Sequence, residues 1–291
     1  MKKILKKLLR KSVWAIDIAM SPFVFAAAIT MKTLRRGGIA RFPLSKRVLL
    51  SVGIYPIVDH YYEPLFNPRR LRKPLSDERP LPGIANWNVE EQLSLLKSFN
   101  FQQELENIPE NFVDEATFYF KNGAYGSGDS EYWYSIIRLK KPARIIEIGS
   151  GESTKMAQLA IRANQKDDRG YQCRHICIEP YEMPWLEKTG VEVLRKKAED
   201  VGVDFFEQLE ANDILFIDSS HMIRPQGDVL FEYLELLPTL KRGVIVHIHD
   251  IFSPRDYPDC WVVSEIRLWN EQYLLEAFLS FNPAWKILGT L

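Results

Sequence analysis

Acidic and histidine side chains stand directly after several short apolar runs in the C-terminal half of the chain. Asp218 and His221 follow one such run, and His249 and Asp250 follow another. Carboxylates and imidazoles together can bind a metal ion, and a histidine can also take up a proton near neutral pH. The acids and histidines that close or follow the apolar runs are Glu147, Glu179, Asp218, His221, His249 and Asp250. Packing alone does not account for this set, because buried core positions are ordinarily apolar.

The apolar runs alternate with helical patterns from residue 143 onward, which predicts a parallel sheet covered by helices. The predicted strands are 143–148, 174–178, 191–194, 214–217 and 244–248. The helix that begins at Pro225 is predicted to face the sheet with Val229, Leu230, Tyr233, Leu234 and Leu237. The fold class is therefore α/β, with a Rossmann-like, doubly wound and mostly parallel sheet and an N-terminal helical or irregular extension. In such folds ligands bind at the carboxyl ends of the strands.

A glycine turn follows the first predicted strand. It reads Gly149-Ser150-Gly151 and leads into a helix. Glycines let the backbone approach a ligand, and a helix N-terminus offers free N–H groups to a carboxylate or phosphate. Thr154 stands where the dinucleotide fingerprint has its third glycine, which argues against a nicotinamide cofactor. Glu179, 28 residues after Gly151, stands where an acid can accept hydrogen bonds from ribose hydroxyls.

These motifs resemble those of class I S-adenosylmethionine-dependent methyltransferases over roughly residues 129–291. Residues 217–221 (Ile-Asp-Ser-Ser-His), followed by 243–250 (Gly-Val-Ile-Val-His-Ile-His-Asp), further resemble the bacterial small-molecule and sugar O-methyltransferases, a group that includes macrocin O-methyltransferase. The resemblance implies S-adenosylmethionine as the cofactor. The cofactor-binding residues that it implies are Glu147, Gly149, Ser150, Gly151, Glu179, Glu199, Asp200 and Asp218.

The resemblance also implies catalytic and metal-binding roles. In metal-dependent relatives such as catechol O-methyltransferase, acidic and amide side chains after the fourth and fifth strands hold magnesium, and Asp218, His249 and Asp250 stand there. An imidazole suits Mn²⁺ better than Mg²⁺. His221 stands at the place of the catalytic lysine and is expected to take the proton of a substrate hydroxyl that Asp218 and Asp250 orient. A cap at the end of its strand is the structural alternative for His221, and His247 is predicted to be a packed strand residue.

Three classes of function stay open at this stage. The first is an O-methyltransferase that acts on a sugar, another small molecule or a lipid-linked acceptor. The second is a catalytically silent, cofactor-binding scaffold protein of an envelope-polysaccharide pathway. The third, a nicotinamide oxidoreductase, is disfavoured by Thr154. Fold alone does not choose among them.

Basic residues crowd the N-terminus of a chain whose net charge is zero. Residues 1–47 carry a net charge of +11 and the remainder −11. Between two basic clusters, residues 13–31 contain no Lys or Arg, but Asp17 and Pro22 disfavour a spanning helix. The basic flanks favour an amphipathic segment or shallow hairpin, with residues 1–36 on an anionic leaflet. A packed helix and a signal peptide are alternatives for this segment. No nucleic-acid-binding motif accompanies the Lys and Arg residues.

The chain is predicted to have three parts. These are a basic, apolar membrane-associating or packing segment at 1–47, a wrapping and lid region at 48–128 and the cofactor-binding domain at 129–291. The glycines of residues 125–129 could form a lid or an ordinary loop. Three cysteines without a Cys-x-x-Cys spacing favour a reducing cytoplasm, here at the inner face of the membrane.

The C-terminal segment leaves room for one more strand. A helix is predicted at 261–281, and only residues 285–291 remain after it. A homo-oligomer could therefore cover an exposed edge of the sheet, because an unpaired edge invites association.

Overall fold

The computed structural model describes residues 2–181 and 183–291. The chain divides into two compact units, Met1–Lys73 and Pro74–Leu291. The helices are α1 (Lys2–Arg36), α2 (Pro43–Ser51), α3 (Val89–Ser98), α4 (Gln102–Leu105), α5 (Asp129–Lys140), α6 (Glu152–Asp167), α7 (Ala198–Val201), α8 (Asp228–Leu230) and α9 (Glu271–Leu279). The strands are β1 (Arg144–Ile148), β2 (Arg174–Ile178), β3 (Glu192–Leu194), β4 (Ile214–Ile217) and β5 (Ile245–Ile248).

The first unit is dominated by the long helix α1. It continues through Pro22, so residues 2–36 form one helix rather than a hairpin. The segment Ser12–Arg36 is long and apolar enough to cross a membrane by length and composition, and none of its apolar window is buried. The next helix, α2, begins at Pro43, where a proline costs nothing because the first helical N–H has no partner inside the helix.

The second unit is built on a five-stranded parallel sheet with the order β3-β2-β1-β4-β5. This confirms the predicted Rossmann-like α/β fold. All four residues of β4 are buried, as expected for a parallel strand covered on both faces. The order reverses between β1 and β4, and a crevice for a ligand lies outside the carboxyl ends of strands at such a point.

Alternate residues of the strands pack into two separate cores. Ile146 and Leu215 lie in the core that includes Tyr233, and Ile145 and Phe216 lie in the core that includes the helix α5. On the second face, fully buried aromatic residues lock α5 to the sheet. Trp133 contacts Phe216 with ring centroids 4.9 Å apart, and His247 lies 5.2 Å from Trp133. His247 is therefore a packed strand residue, as predicted, and burial lowers its pKa to about 4.

The C-terminal segment departs from the predicted pattern. The predicted helix at 261–281 is a single π-helical turn at Cys260–Ser264, a break, and then α9. Ile266 within the break has a φ of +54°, which is incompatible with a helix.

No strand forms after α9. The carbonyl of Ile287 accepts a hydrogen bond of 3.0 Å from the side chain of Asn88, and the N–H of Thr290 donates one of 2.9 Å to Gln92. The last residues therefore bind α3 and its cap, which leaves β5 at the edge of the sheet.

Arg138, a buried arginine of α5, binds carboxylates on two neighbouring helices. Its guanidinium donates two hydrogen bonds of 2.8 Å to Glu104 and one of 2.6 Å to Asp167. The bond to Arg138 lowers the pKa of Glu104 below its ordinary value of 4.5. The ionised Glu104 therefore stabilises the fold above that pH, and its contribution is lost as the pH falls through the lowered pKa.

We expect Glu104→Gln to lower the free energy of unfolding at neutral pH by about 1 kcal/mol, a value that allows for the partial exposure of Glu104. Urea denaturation at pH 7 should show the loss, and the difference from the unaltered protein should shrink below pH 4.5. Glu106→Gln, at an exposed position two residues later, is the control and should change little. A loss that stays constant into acid would contradict the assignment.

Candidate active site

The glycine turn after β1 packs directly on the end of β4. Gly149 has a φ of +78°, and a Cβ atom there would lie 1.9 Å from the carbonyl oxygen of Asp218. The N–H of Gly149 donates to the carbonyl of Ile178 at 3.1 Å, and that of Asp218 donates to the carbonyl of Ile148 at 2.8 Å. Only glycine fits here, since both the space and the backbone angle exclude a side chain.

Polar contacts at the start of α6 explain why a threonine stands at the third-glycine position. The N–H of Gly151 donates to the hydroxyl of Thr154 at 3.2 Å, and that hydroxyl donates to the carboxylate of Glu147. Glu147 is fully buried, and its Oε1 lies 3.4 Å from Nε2 of His175. Glu147 thus supports the turn from beneath. By contrast, the hydroxyl oxygen of Ser150 is buried and has no hydrogen-bond partner among the described residues, which suits a ligand at the turn.

The residues predicted to contact the ribose and the adenine follow β2 and β3, which lie on the side of β1 away from β4. Glu179 follows β2, and its carboxylate accepts a hydrogen bond of 3.0 Å from the N–H of Tyr181. Glu199 and Asp200 stand in the first turn of α7, after β3. These acids therefore follow the carboxyl ends of successive neighbouring strands, while Asp218 follows β4 on the opposite side of the turn.

Two aspartates and two histidines converge beyond β4 and β5. Oδ1 of Asp218 lies 3.2 Å from Nε2 of His221 and 3.5 Å from Nδ1 of His249. Asp250 closes the group, 3.6 Å from each of the same two nitrogens. We call Asp218, His221, His249 and Asp250 the carboxylate–imidazole cluster. His221 and Asp250 have φ values of +57° and +56°, a strained conformation for such residues that is concentrated at functional sites.

The charges of this cluster are strongly coupled. Burial lowers the pKa of His221, but hydrogen bonds to Asp218 and Glu271 outweigh it and raise the pKa to about 10. Burial likewise lowers the pKa of His249, while Asp129 and Asp218 raise it to about 10. Burial raises the pKa of Asp218, yet the two histidines bring it well below its ordinary value. In the protein alone the neighbouring carboxylates therefore favour the protonated form of both imidazoles.

Glu271 holds His221 from behind, and sequence reasoning missed it. The Glu271 side chain is fully buried; its Oε2 lies 2.7 Å from Nδ1 of His221, and its Oε1 accepts a hydrogen bond of 2.9 Å from the hydroxyl of Tyr233. The His221 ring also lies 4.2 Å from the ring of Trp269. With Nδ1 bound to Glu271, Nε2 of His221 is directed at the two aspartates. Glu271 belongs to no motif, and the only signal was an acid within an amphipathic pattern.

The segment at 125–129, for which the sequence allowed either a lid or an ordinary loop, also lies beside the site. Oδ2 of Asp129 lies 3.7 Å from Nε2 of His249, and the ring of Tyr125 lies 5.0 Å from the His249 ring. The loop at 125–129 therefore reaches the carboxylate–imidazole cluster.

The cluster has the donor atoms of a metal site. One donor atom each from Asp218, His221 and Asp250 lies within 4.8 Å of the others. Nδ1 of the buried His249 has no hydrogen-bond partner among the described residues, and it is directed at the same carboxylates. This combination of nitrogen and oxygen donors fits Mn²⁺ or a similar transition metal better than Mg²⁺.

Comparison with known proteins relates part of the chain to methyltransferases. Residues 146–251 match the family described as "Methyltransferase domain". An uncharacterized protein of Archaeoglobus fulgidus is 28% identical over 168 residues, which cover 53% of this chain and 74% of that protein. No solved structure gives a significant match. The family match and the fold support a class I methyltransferase and, with it, the use of S-adenosylmethionine in general.

Proposed function

We propose that this protein transfers a methyl group from S-adenosylmethionine to a hydroxyl group of a sugar, another small molecule or a lipid-linked acceptor. The observation that carries the proposal is the convergence of Asp218, His221, His249 and Asp250 beside the glycine turn. A scaffold protein that bound the cofactor without transferring its methyl group would need the turn but not this cluster.

The turn and the acids along β2 and β3 form the proposed cofactor site. The free N–H groups at the start of α6 and the buried hydroxyl of Ser150 bind the methionine part. Glu179 accepts hydrogen bonds from the ribose, and Glu199 and Asp200 border the adenine. The bound cofactor supplies an electrophilic methyl group, which is attached to its positively charged sulfonium sulfur.

His221 is the proposed general base. Its Nε2 takes the proton of the acceptor hydroxyl, and the freed oxygen is aligned for attack by Asp218 and Asp250. Asp218 and Glu271 raise the pKa of His221, so the ring must lose its own proton before it can act as the base. A cation bound at Asp218 and Asp250 would lower that pKa, because it competes with the protonated ring for their negative charge. Alignment of the hydroxyl with the methyl group supplies a large part of the rate enhancement.

A divalent metal at the two aspartates would take either His221 or His249 as its nitrogen ligand, since both lie beside them. Because His221 is the proposed base, the proposed ligands are Asp218, His249 and Asp250. The support is the chemistry of the donors and the unpartnered, buried nitrogen of His249. Such an ion would polarise the acceptor hydroxyl and lower its pKa.

Calorimetric titration of the full-length protein tests both parts of the proposal. We expect S-adenosylmethionine to bind with micromolar affinity, and Mn²⁺ to bind in a chelator-sensitive way. Asp250→Ala should weaken Mn²⁺ binding by more than about tenfold while cofactor binding stays near its original value. The exposed Asp259→Ala is the matched control and should affect neither.

The alternative outcomes are distinct. Failure to bind S-adenosylmethionine would contradict the methyltransferase proposal itself. If the protein binds the cofactor but not Mn²⁺, the result would contradict the proposed metal site, and His221 would remain the proposed base. Cofactor binding with no transfer to any hydroxyl acceptor, and no effect of His221→Ala, would favour the scaffold protein.

A further inference from the structure

The helix α1 exposes apolar side chains along most of its length. Every residue from Ser12 to Thr30 is exposed. Phe23 and Phe25 are 71% and 69% exposed, and Trp14 is 67% exposed. Apolar surface of this extent is unfavourable in water and marks a contact with another molecule or phase.

The basic residues at the two ends of α1 favour an arrangement in which both ends lie on the same side of a membrane. Residues 2–11 contain six Lys or Arg, and residues 32–47 contain another six. Basic segments stay on the side of a membrane where anionic lipids attract them, and carrying them across is unfavourable. Although Ser12–Arg36 is long enough to cross a bilayer, a crossing helix would have to place one basic end on the wrong side.

The spacing of polar residues divides α1 into two faces. On one side of α1, small or polar residues recur at the helical period, and Val24 is the exception among them. They are Asp17, Ser21, Ala28, Lys32 and Arg35. The adjoining apolar side is formed by Ile16, Met20, Phe23, Ala27 and Leu34. Phe23 and Phe25 fall on different sides, because two residues turn a helix by about 200°. The other flank of this strip is apolar too, and is formed by Trp14, Ile18, Phe25 and Ile29. The polar side is therefore a narrow strip that ends in Lys32 and Arg35, and a helix with such a strip lies in a membrane interface with the strip towards the headgroups.

Arg35 fixes a tyrosine-rich loop to the C-terminal end of α1. Its Nε donates to Glu63 at 2.6 Å, and its Nη1 donates to the hydroxyl of Tyr55 at 2.7 Å. The loop thus held exposes Tyr61 and Tyr62 by 90% and 85%. Tyrosine is enriched at membrane interfaces because its ring is apolar and its hydroxyl polar.

The helix α2 repeats the pattern. Three large apolar side chains, each four residues from the next, are exposed by 61% to 74%: Leu44, Val48 and Val52. Lys46 and Arg47 stand between them. Two consecutive segments of the first unit therefore combine an exposed apolar row with basic residues.

We propose that α1 lies in the plane of an anionic lipid leaflet, with the side of Phe23 among the acyl chains and the side of Arg35 among the headgroups. The lipid is favoured over a protein partner because both basic ends and the exposed tyrosines match the chemistry of headgroups. The proposal is independent of the catalytic activity.

Sedimentation of the full-length protein with vesicles tests the contact. The vesicles contain phosphatidylcholine, with or without phosphatidylglycerol. Phe23→Gln is expected to weaken binding to the anionic vesicles about tenfold, because the variant loses the burial of one phenylalanine side chain among the acyl chains. Phe25→Gln is the matched control of equal exposure and should weaken binding about twofold or less, because its side chain lies nearer the headgroups.

Spin labels placed singly from residue 13 to residue 30, in a variant without native cysteines, test the orientation. An in-plane helix gives an immersion depth that oscillates with a period of about 3.6 residues. A profile with one central maximum, or equal losses for the two glutamine variants, would identify a spanning helix and overturn the proposal. No binding to anionic vesicles, association only with a second copy, or an intact mass lacking the N-terminal residues as in a cleaved signal peptide would overturn it too.

Discussion

Replacing Gly149 with alanine is expected to abolish binding of S-adenosylmethionine and to destabilise the second unit severely. The added Cβ would lie 1.9 Å from the carbonyl oxygen of Asp218, so the turn and the end of β4 must separate. The residue would also have to keep a φ of +78°, which costs a non-glycine residue about 1–2 kcal/mol by itself. We expect the free energy of unfolding to fall by more than about 3 kcal/mol. Chemical denaturation and calorimetric titration with the cofactor measure the two effects.

Gly190→Ala separates strain from collision. Gly190 has a φ of +85°, but no atom lies within 4 Å of the Cβ position. This variant should lose about 1 kcal/mol of stability and keep its cofactor affinity. Equal behaviour of the two variants would show that the backbone angle alone matters at Gly149, and would remove the argument that the turn must contact β4.

The strands were predictable because their sequences leave few alternatives. β2 and β4 begin and end at the predicted residues, and β1, β3 and β5 each begin one residue later than predicted. Each is a short, nearly continuous apolar run with a turn after it, the pattern of a parallel strand buried on both faces. The polar residues at their ends followed from the same reasoning, since parallel strands bring their carboxyl ends to one edge.

The helices after β4 were predicted less well, because local geometry departs from a regular helix. Leu234 was expected to face the sheet but is 61% exposed, while Phe231 and Leu236 are buried instead. A π-helix runs from Phe231 to Leu236, and each of its turns takes up an extra residue. That extra residue shifts the buried face, which a periodicity of 3.6 does not anticipate.

The site was predicted where residues follow strands and missed where tertiary contacts bring residues in. Asp218, His221, His249 and Asp250 follow β4 and β5, and the structure brings these four together. Glu271 comes from a helix 50 residues after His221, and its position depends on the break before α9. The backbone N–H groups of Asn270 and Glu271 bind the carbonyl of His221, so the end of β4 fixes where that helix begins.

This contact makes Glu271 a positioning residue for the proposed base. Replacing Glu271 with glutamine keeps the size of the side chain but removes the charge next to Nδ1 of His221. We expect turnover to fall by about 100-fold or more, the scale of general-base catalysis, while the KM for S-adenosylmethionine changes little. The free energy of unfolding should fall by about 2 kcal/mol, because a buried charged hydrogen bond is lost. Release of S-adenosylhomocysteine, measured with a hydroxyl acceptor that the unaltered protein methylates, gives the kinetic values.

Tyr233→Phe distinguishes positioning from general loosening of the core. It removes the hydroxyl on the other oxygen of Glu271 and leaves the bond to His221 in place. Its stability should fall by about 1 kcal/mol, the net value of one hydrogen bond, with turnover within a few-fold of the original. If both variants lost turnover in proportion to stability, Glu271 would be a packing residue and the orientation of His221 would not depend on it. A large kinetic loss confined to Glu271→Gln requires instead that the direction of Nε2 matters to the reaction, because the two variants alter the same buried network at different ends.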